Sequence, residues 1–279
     1  RWRRNHGRDH VLFADFPYIW ESKPHGLRDL TGKFLPLTRN ATLIGVEDTR
    51  LAGHRGSSAF VAVPYFQNAS ISESAAARDR EFLVGLAATS VLRPYSTCET
   101  CDVGHVNNTL FRARIFDDLG SNCAEGECRV YDFSRIPGAG ANRINISFYS
   151  SAGVDLDGVL QSAVFCPIPR GDSWTSKRFF GAILAGCIPV LLSDGMALPF
   201  APAVEYRGAM LRIPEAQVMS PGFSLVAFLR SQSSRKIAAM QARLECIKDS
   251  IAFRPGCASS SGPGACRGSA MDFLVAGRG

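Results

Sequence analysis

The sequence predicts an α/β protein in which short apolar strands alternate with helices. The clearest unit has a strand at residues 163–168, a polar loop at 170–176, a helix, and a second strand at 188–192. Unbroken apolar runs of this length are typical of parallel strands that are covered on both faces. Because similar segments alternate through the first half of the chain, we expect two α/β lobes, 1–150 and 151–279.

Prolines and glycines set the expected ends of the central unit. Pro167 and Pro169 should end the first strand, since proline lacks the N–H that a β-ladder needs. The helix should begin at Thr175 and stop at Gly186, because glycine commonly ends a helix in the left-handed conformation. Ligands of parallel sheets bind beyond the carboxyl ends of the strands, which is where the polar loop falls.

The other elements follow from hydrophobic spacing and turn residues. The helix at 233–253 is the clearest, since apolar side chains recur every three or four residues and Ser233 or Ser234 caps it. We place Arg80 on the solvated face of a helix at 74–82 and interpret 214–221 as a loop. Further strands are predicted at 11–16, 42–46, 59–63, 81–86, 128–133 and 209–213, and further helices at 111–119, 223–229 and 269–276.

The composition describes a folded globular protein with a mild positive charge. Hydrophobic residues make up 46% and charged residues 20% of the 279 positions, which excludes a disordered chain. The net charge of +6 is dispersed and suits an anionic ligand, but the basic stripe that nucleic-acid binding requires is missing. No apolar run reaches the roughly 18 residues that a membrane helix needs. We expect Arg1 to be an internal residue of a longer chain, with any membrane anchor upstream.

Cysteines and glycosylation motifs indicate an oxidising lumen. The chain has nine cysteines, and an odd number leaves at least one thiol unpaired. We expect at least one disulfide among Cys246, Cys257 and Cys266, and we interpret Cys166 and Cys187 as buried thiols in apolar strands. Asn-x-Ser/Thr motifs begin at Asn40, Asn68, Asn107 and Asn145.

A second group of cysteines leaves two chemistries open. Two residues separate Cys98 from Cys101, and four separate Cys123 from Cys128. Two such pairs can together hold a zinc ion. The second spacing is loose for zinc, so disulfides are the preferred interpretation and we expect no bound zinc.

The polar loop carries the chemistry of an anion site. Arg170 follows the first strand, and a guanidinium can bind a phosphate through two N–H groups. Lys177 and Arg178 fall in the first turn of the helix, where cations oppose the helix dipole unless an anion is bound. Ser193 and Asp194 follow the second strand and should border the same cleft. A solvent-exposed basic turn without a ligand is the alternative.

A set of short motifs resembles the exostosin-like family of glycosyltransferases, in particular its plant and algal members. The motifs span most of the chain, and the central block is specific. They are the segments 6–11 (HGRDHV), 63–66 (VPYF), Phe165-Cys166, 169–173 (PRGDS), Ser176, Arg178-Phe179, 185–190 (AGCIPV), Ser193-Asp194 and 198–200 (LPF).

The resemblance implies the GT-B fold, in which two Rossmann-like lobes face each other across a cleft. The lobe at 151–279, with its terminal helices, would bind a nucleotide sugar, and a shortened lobe at 1–150 would receive the acceptor. Family members transfer a sugar with inversion from a nucleotide diphosphate donor, here a UDP-sugar, to a polysaccharide or a glycoprotein glycan. The resemblance further implies a type II membrane protein of the Golgi lumen, with a glycosyltransferase chain as candidate partner. We expect no metal or other cofactor, because Arg170, Lys177, Arg178 and the helix N-terminus can meet the charge of the leaving group.

The resemblance and the loop chemistry together indicate the site residues. Inversion needs one base to take the acceptor proton, and we choose Asp9 and His10, which directly precede a predicted strand of the acceptor lobe. A hydrogen-bonded structural histidine is the alternative for His10, and Asp48 and His54 are weaker candidates. The candidates for donor binding are Arg170, Gly171, Asp172, Ser173, Ser176, Lys177, Arg178, Ser193 and Asp194.

One departure from the family pattern bears on activity. The family usually carries a glutamate, which can bind the ribose hydroxyls of the nucleotide, where this chain has Gly181. A non-catalytic partner subunit that keeps the fold is therefore a second hypothesis. A third is a carbohydrate-binding module that uses the aromatic rings of Trp2, Trp20 and Trp174.

Overall fold

The chain folds as a mixed α/β protein with two parallel β-sheets. The computed structural model describes residues 5–14, 40–46, 59–65, 80–91, 108–134, 153–171 and 174–252. The smaller sheet contains β1 (Val11–Ala14), β2 (Thr42–Gly45) and β3 (Phe60–Ala62). These strands lie in the order β1-β2-β3, and both neighbouring pairs are parallel.

The larger sheet has five parallel strands. They are β4 (Phe82–Ala88), β5 (Cys128–Asp132), β6 (Ala163–Pro169), β7 (Ile188–Leu192) and β8 (Leu211–Arg212). Their order in space is β5-β4-β6-β7-β8. The chain therefore adds β5 on one side of β4 and then returns to the other side with β6. In open α/β sheets such a reversal is a topological switch point, beside which ligands bind.

Helices cover both faces of the larger sheet. The described helices are α1 (Asn108–Asn122), α2 (Leu156–Ser162), α3 (Lys177–Leu184), α4 (Glu215–Val218), α5 (Leu225–Arg230) and α6 (Ser234–Ile251). α1 packs against α4 and α5, whereas α3 packs against α2 and α6. Because two separate helix layers enclose the sheet, every residue of β7 and nearly every residue of β6 is buried.

The two sheets share one hydrophobic core. Ile44 of β2 belongs to the same buried cluster as β6, β7 and α3. The N–H of Phe200 donates to the carbonyl of Ala62 at 3.1 Å. The Tyr65 ring, just after β3, lies 5.8 Å from the ring of Phe180 in α3. The carboxyl edge of the smaller sheet therefore meets α3 and the segment that follows β7.

Most of the predicted elements that fall within the described residues are confirmed. Each strand predicted from the sequence overlaps an observed strand, and the helices at 111–119, 223–229 and 233–253 overlap α1, α5 and α6. α3 ends before Gly186, which has a φ of +70°, as predicted for a glycine stop. Ser233 is the N-cap of α6, and its side chain accepts a hydrogen bond from the N–H of Lys236.

The prediction that Pro167 ends the first central strand is wrong. β6 continues through Pro167 to Pro169, and both prolines lie opposite residues of β7. On the other side of β6, the pairing with β4 ends where Val84 lies opposite Phe165. A strand tolerates a proline where the ladder on one side has already ended, because no donor is then required there.

Two other elements also differ from the sequence prediction. Arg80 does not lie on a helix, and its guanidinium donates to the carbonyls of Leu160, Ala163 and Ala185 at 3.1, 2.8 and 2.7 Å. It thereby satisfies carbonyls at the ends of α2 and α3 that have no partner inside their helices. The predicted loop at 214–221 contains the one-turn helix α4.

The lobe boundary that was predicted near residue 150 falls between strands of one sheet. β4 and β5 precede residue 150, and β4 pairs with β6, which follows it. A boundary at 150 would cut through the five-stranded sheet. The change from one sheet to the other lies between β3 and β4.

The structure pairs two cysteines that we had interpreted as thiols. Cys166 in β6 and Cys187, just before β7, form a disulfide, although both are buried. Their Cα atoms are 5.9 Å apart, which suits a disulfide. The register between β6 and β7 creates this proximity, and register is a property of the sheet that residue composition does not show.

The other described cysteines follow the preferred interpretation in part. Cys123 and Cys128 form a disulfide, in agreement with disulfides rather than zinc. Cys246 is a free thiol among the described residues, so it is not part of the disulfide expected near the C-terminus.

Some predicted features lie outside the described residues. They are the helix at 269–276, the part of the helix at 74–82 before Arg80, Cys98, Cys101, Cys257, Cys266, and the motifs at Asn68, Asn107 and Asn145. In the part of the chain that the structure describes, no helix has both the length and the apolar character needed to cross a bilayer.

Candidate functional site

A buried arginine joins two strand ends at the switch point between β4 and β6. Arg112 lies in the second turn of α1 and is 2% exposed. Its Nε donates to the carbonyl of Thr89, which follows β4, at 2.7 Å. Its Nη1 donates to the carbonyl of Arg170, which follows β6, at 2.8 Å. One side chain thus holds together the two strands between which the order of the sheet reverses.

The Arg170 side chain is engaged by protein groups. Its guanidinium is buried, and its Nε lies 3.3 Å from Oε2 of Glu215. The guanidinium also lies over the Trp174 ring, 5.2 Å from the centroid. A phosphate that took both prongs of this guanidinium would have to replace a buried ion pair, which is costly. Binding of a phosphate by Arg170 stays a prediction, and it requires the guanidinium to exchange its contact with Glu215.

Trp174 connects the polar loop to the end of β7. Its carbonyl accepts a hydrogen bond from the Ser193 hydroxyl at 2.6 Å, and Ser193 is buried. Gly195 packs against the indole so closely that a Cβ at residue 195 would lie 2.3 Å from a ring carbon. The predicted donor residue Ser193 thus anchors the loop, and Gly195 provides the space that the indole occupies.

Asp194 and Glu215 form reciprocal hydrogen bonds across the ends of β7 and β8. The N–H of Asp194 donates to Oε1 of Glu215 at 3.4 Å. The N–H of Glu215 lies 3.3 Å from each carboxylate oxygen of Asp194. Asp194 is exposed and Glu215 is buried. With Arg170, this pair links the carboxyl ends of three neighbouring strands.

The first turn of α3 places two cations beside the same strand ends. Lys177 is exposed, and Arg178 is half-buried and donates from Nη1 to the carbonyl of Ala87, in β4, at 3.4 Å. Ser176 is the N-cap of α3, and its carbonyl accepts the N–H of Phe179 at 3.0 Å. The positive end of α3 and Arg178 therefore lie near the switch point, and Lys177 belongs to the same helical turn.

Thr175 has a hydroxyl that the sequence interpretation did not consider. The residue is 5% exposed, and its Oγ1 has no hydrogen-bond partner among the described residues. A buried polar group without a partner costs about 1–3 kcal/mol. Thr175 directly precedes the N-cap of α3, and because its Oγ1 is buried, a ligand at this helix end reaches the hydroxyl only when neighbouring groups move.

Asp132 ties β5 to β4 on the other side of the switch point. Its Oδ1 accepts hydrogen bonds from the N–H groups of Ser90 and Ser134 at 2.9 and 3.0 Å. Desolvation raises the pKa of Asp132, but the hydrogen bonds from Ser90 and Ser134 outweigh this and hold the pKa below its ordinary value. Asp132 is therefore a carboxylate at neutral pH.

Asp9 and His10 form a hydrogen-bonded pair at the surface. Oδ1 of Asp9 lies 2.8 Å from Nδ1 of His10, and Asn5 donates to Oδ2 at 3.0 Å. Desolvation raises the pKa of Asp9, but hydrogen bonds from His10, its own backbone and Asn5 lower it overall. The pair precedes β1 and therefore lies at the amino ends of the strands of the smaller sheet. Ala62 and Tyr65, which contact Phe200 and Phe180, lie at the opposite, carboxyl ends of these strands. The structure does not bring Asp9 and His10 to the switch point.

The remaining candidates from the sequence are only partly described. Gly171 is half-buried at the start of the loop. The donor-site candidates Asp172 and Ser173 lie outside the described residues, as do Asp48, His54, Trp2 and Trp20.

One group of described residues has donor atoms close enough for a metal ion. It consists of Cys123, Glu127 and Cys128. Both cysteines are joined in a disulfide, and Glu127 accepts two hydrogen bonds from Arg230 at 2.9 and 2.7 Å. Zinc is bound by thiolates, which a disulfide does not offer. This group is therefore not a metal site while the disulfide is intact.

Besides Thr175, sequence reasoning missed two charged residues of the site, Arg112 and Glu215. For Arg112 a signal was available, because it falls on the same helical face as the apolar residues Ile115 and Leu119, and a charge on such a face is unusual. For Glu215 no local signal exists. Its importance depends on Arg170, which reaches it only in the folded sheet.

The chain is similar in sequence to proteins of known family. The exostosin GT47 domain matches residues 1–228, which include every described strand and α3. The probable arabinosyltransferase ARAD1 of Arabidopsis thaliana is 25% identical over 249 residues, which cover 88% of this chain and 46% of that protein. Exostosin-1a of Danio rerio is 24% identical over 223 residues, and exostosin-1 of Drosophila melanogaster is 37% identical over 87 residues.

These relatives are longer than the chain. The match covers 74% of this chain and 26% of exostosin-1a, and 28% of this chain and 11% of the Drosophila exostosin-1. The chain thus spans about half the length of the arabinosyltransferase and about a quarter of exostosin-1a. On the family match over most of its length, the chain belongs to the exostosin GT47 family of glycosyltransferases.

Proposed function

We propose that the chain transfers a sugar, with inversion, from a UDP-sugar to a polysaccharide or glycoprotein glycan. The observation that carries this proposal is the placement of Lys177 and Arg178 in the first turn of α3, where Arg178 contacts β4 near its carboxyl end. Phosphate groups bind at such helix ends in parallel α/β sheets. We further propose a GT-B arrangement in which the smaller sheet belongs to the acceptor lobe.

The groups at this helix end suit a departing nucleotide diphosphate. The leaving group gains negative charge as the bond to the sugar breaks, and preorganised donors and cations stabilise that charge. Lys177, Arg178, the Thr175 hydroxyl and the first N–H groups of α3 are all donors. We propose no metal or other cofactor for this step.

We propose Asp9 and His10 as the candidates for the catalytic base. Asp9 and His10 were chosen from the sequence, but their place at the amino edge of the smaller sheet favours the alternative of a structural histidine. Asp9→Asn and His10→Gln test the choice. A loss of transfer rate by about 10²- to 10⁴-fold supports general base catalysis, and an unchanged rate supports the structural role.

We propose the Golgi lumen as the compartment, with the chain anchored as a type II membrane protein. The disulfides Cys123–Cys128 and Cys166–Cys187 support this, because such bonds persist in oxidising compartments. Mass spectrometry of the unreduced native protein checks the proposal. Four free thiols at these positions would contradict it.

Calorimetric titration with UDP tests the donor site. Arg178→Met should raise the Kd about 10- to 100-fold, since a charge-assisted contact contributes about 1.5–3 kcal/mol. Arg235→Met is the matched control, because Arg235 is exposed and occupies the second position of α6, as Arg178 does in α3. Unchanged affinity in Arg178→Met, or an equal loss in the control, would overturn the proposed site.

A non-catalytic partner subunit is the second candidate, and Gly181 is the feature that favours it. Gly181 follows Lys177 by four residues and Arg178 by three, so all three lie on one face of α3. Gly181 is buried and offers no side chain to a bound nucleotide. Release of UDP from UDP-sugars by the purified chain decides between the two candidates. Of the three rings considered for a carbohydrate-binding module, Trp174 is 7% exposed and is not open to a sugar, whereas Trp2 and Trp20 lie outside the described residues.

A further inference from the structure

We infer that Glu215 is a positioning residue for the donor site. Its carboxylate holds Arg170 in place and, through Arg170, the loop that leads into α3. This role rests on the proposed function, because it concerns how the proposed UDP site is held together. Glu215 is 2% exposed and acts through its neighbours.

Glu215 supplies the opposite charge for a buried guanidinium. The side chains of Arg170 and Glu215 are 2% and 3% exposed, and Nε and Oε2 are 3.3 Å apart. A buried charge without a partner is strongly unfavourable, whereas an exposed ion pair contributes little. The position of Arg170 is therefore tied to that of Glu215 much more firmly than in a surface pair.

Contacts of both the side chain and the backbone of Arg170 restrain the loop. The guanidinium stacks over Trp174, which lies two residues before the Ser176 N-cap of α3. The Arg170 carbonyl accepts the hydrogen bond from Arg112. The indole also packs against Gly195, with no space for even a Cβ. A displaced Arg170 must therefore displace Trp174 or Arg112.

The network reaches four of the five strand ends in the larger sheet. Glu215, after β8, forms a hydrogen bond with Asp194, after β7, and an ion pair with Arg170, after β6. Arg112 then donates to the carbonyls of Arg170 and of Thr89, which follows β4. Lys177 and Arg178 come three and four residues after Trp174, so their positions depend on this frame. Misplacement of reacting groups by about 1 Å can lower a rate by about 100-fold.

Glu215→Gln is the first test, because it keeps the shape of the side chain and one carbonyl oxygen but removes the charge. Asp118→Asn is the matched control. Asp118 is also a buried carboxylate, but it accepts the N–H of Val226 at 3.1 Å between α1 and α5, away from the strand ends. We expect Glu215→Gln to raise the Kd for UDP about 10-fold or more, and Asp118→Asn to leave it unchanged at similar thermal stability.

A double variant separates positioning from plain stability. Arg170→Met combined with Glu215→Met removes both charges, and such apolar replacements of buried ion pairs often retain stability. We expect unfolding in urea close to that of wild type but a Kd for UDP that stays about 10-fold higher. Recovery of both stability and UDP affinity would overturn the positioning role, since the pair would then serve stability alone. This variant also replaces Glu215→Gln if the latter does not fold.

The wild-type protein separates this inference from the proposed function. If wild type shows no affinity for UDP, the proposed donor site fails and the role of Glu215 fails with it. If wild type binds UDP and Glu215→Gln binds it equally well, the donor site stands and only the positioning role is wrong.

Discussion

Arg112 and Arg170 are both buried and both positively charged, yet Nη1 of Arg112 donates a hydrogen bond to the carbonyl oxygen of Arg170 at 2.8 Å. The contact is favourable because Arg112 binds the backbone of Arg170, whereas the Arg170 guanidinium is directed to Glu215. The same Arg112 side chain binds Thr89 after β4. It therefore holds the part of the sheet formed by β4 and β5 against the part formed by β6 to β8.

Replacement of Arg112 by methionine should destabilise the fold. The carbonyls of Thr89 and Arg170 would lose hydrogen bonds from a charged donor, so the free energy of unfolding should fall by about 3 kcal/mol. Urea unfolding followed by circular dichroism measures the loss. Arg243→Met, on the exposed part of α6, is the control and should change stability by less than about 0.5 kcal/mol. Equal losses in both variants would show that Arg112 does not hold the strand ends together.

The two disulfides should differ in their contribution to stability. Cys166–Cys187 closes a sequence separation of 21 residues and Cys123–Cys128 one of 5. Because the stabilisation grows with loop length, paired alanine substitutions should lower the free energy of unfolding by about 3 and about 2 kcal/mol, respectively.

The two disulfides should also differ in reactivity, since Cys123 and Cys128 are half-buried whereas Cys166 and Cys187 are 1% and 0% exposed. Mild reduction and alkylation of the folded protein, read by mass spectrometry, should label the first pair before the second; simultaneous labelling would contradict this.

Asp132 should make the fold sensitive to acid. Its folded-state pKa lies below the ordinary value of 3.8, so the folded protein binds this proton less readily than the unfolded chain does. The resulting stability is present above the unfolded-state pKa and is lost as the pH falls through the lowered folded-state value. Urea unfolding should therefore show a larger difference between wild type and Asp132→Asn at about pH 7 than at about pH 3. A difference that does not change with pH would refute the assignment.

Thr175→Val should change stability and UDP binding in opposite directions. Valine has the shape of threonine but removes the buried hydroxyl, so the protein without ligand should gain up to about 1 kcal/mol in stability. If Oγ1 binds the donor, the Kd for UDP should rise about 2- to 12-fold at the same time. Thermal unfolding and calorimetry measure the two effects, and Thr175→Ser, which keeps the hydroxyl, is the control. Unchanged UDP affinity in Thr175→Val would exclude a contact between this hydroxyl and UDP.

Gly181→Glu should tighten UDP binding if the site retains the family's use of this position. A carboxylate that accepts hydrogen bonds from the ribose hydroxyls is worth about 1–3 kcal/mol. Glycine within a helix also costs about 1 kcal/mol relative to alanine, so Gly181→Ala is the control for the effect on α3 alone. A folded Gly181→Glu protein with the affinity of the control would show that the site does not use this residue. Rapid donor turnover by the unmodified chain alone would remove the reason for the partner-subunit hypothesis.

The sequence by itself determined the local structure of the central unit and where the anion-binding groups would lie. The apolar runs specified β6 and β7, and helical spacing with a following glycine specified α3. These are properties of neighbouring residues, since periodicity and backbone conformation act over a few positions. The place of Lys177 and Arg178 followed from them, because both belong to the first turn of that helix.

Only the tertiary structure decided which distant groups meet. The central place of β4, the disulfide between Cys166 and Cys187, and the ion pair between Arg170 and Glu215 all depend on strand order and register. The sequence alone suggested Arg170 for phosphate binding, because an arginine after a buried strand has the right chemistry. The folded sheet places a buried carboxylate beside it, which the local sequence does not show. A buried charge is far more stable with a partner than without one, so the contacts made across the sheet outweigh what the local sequence suggests.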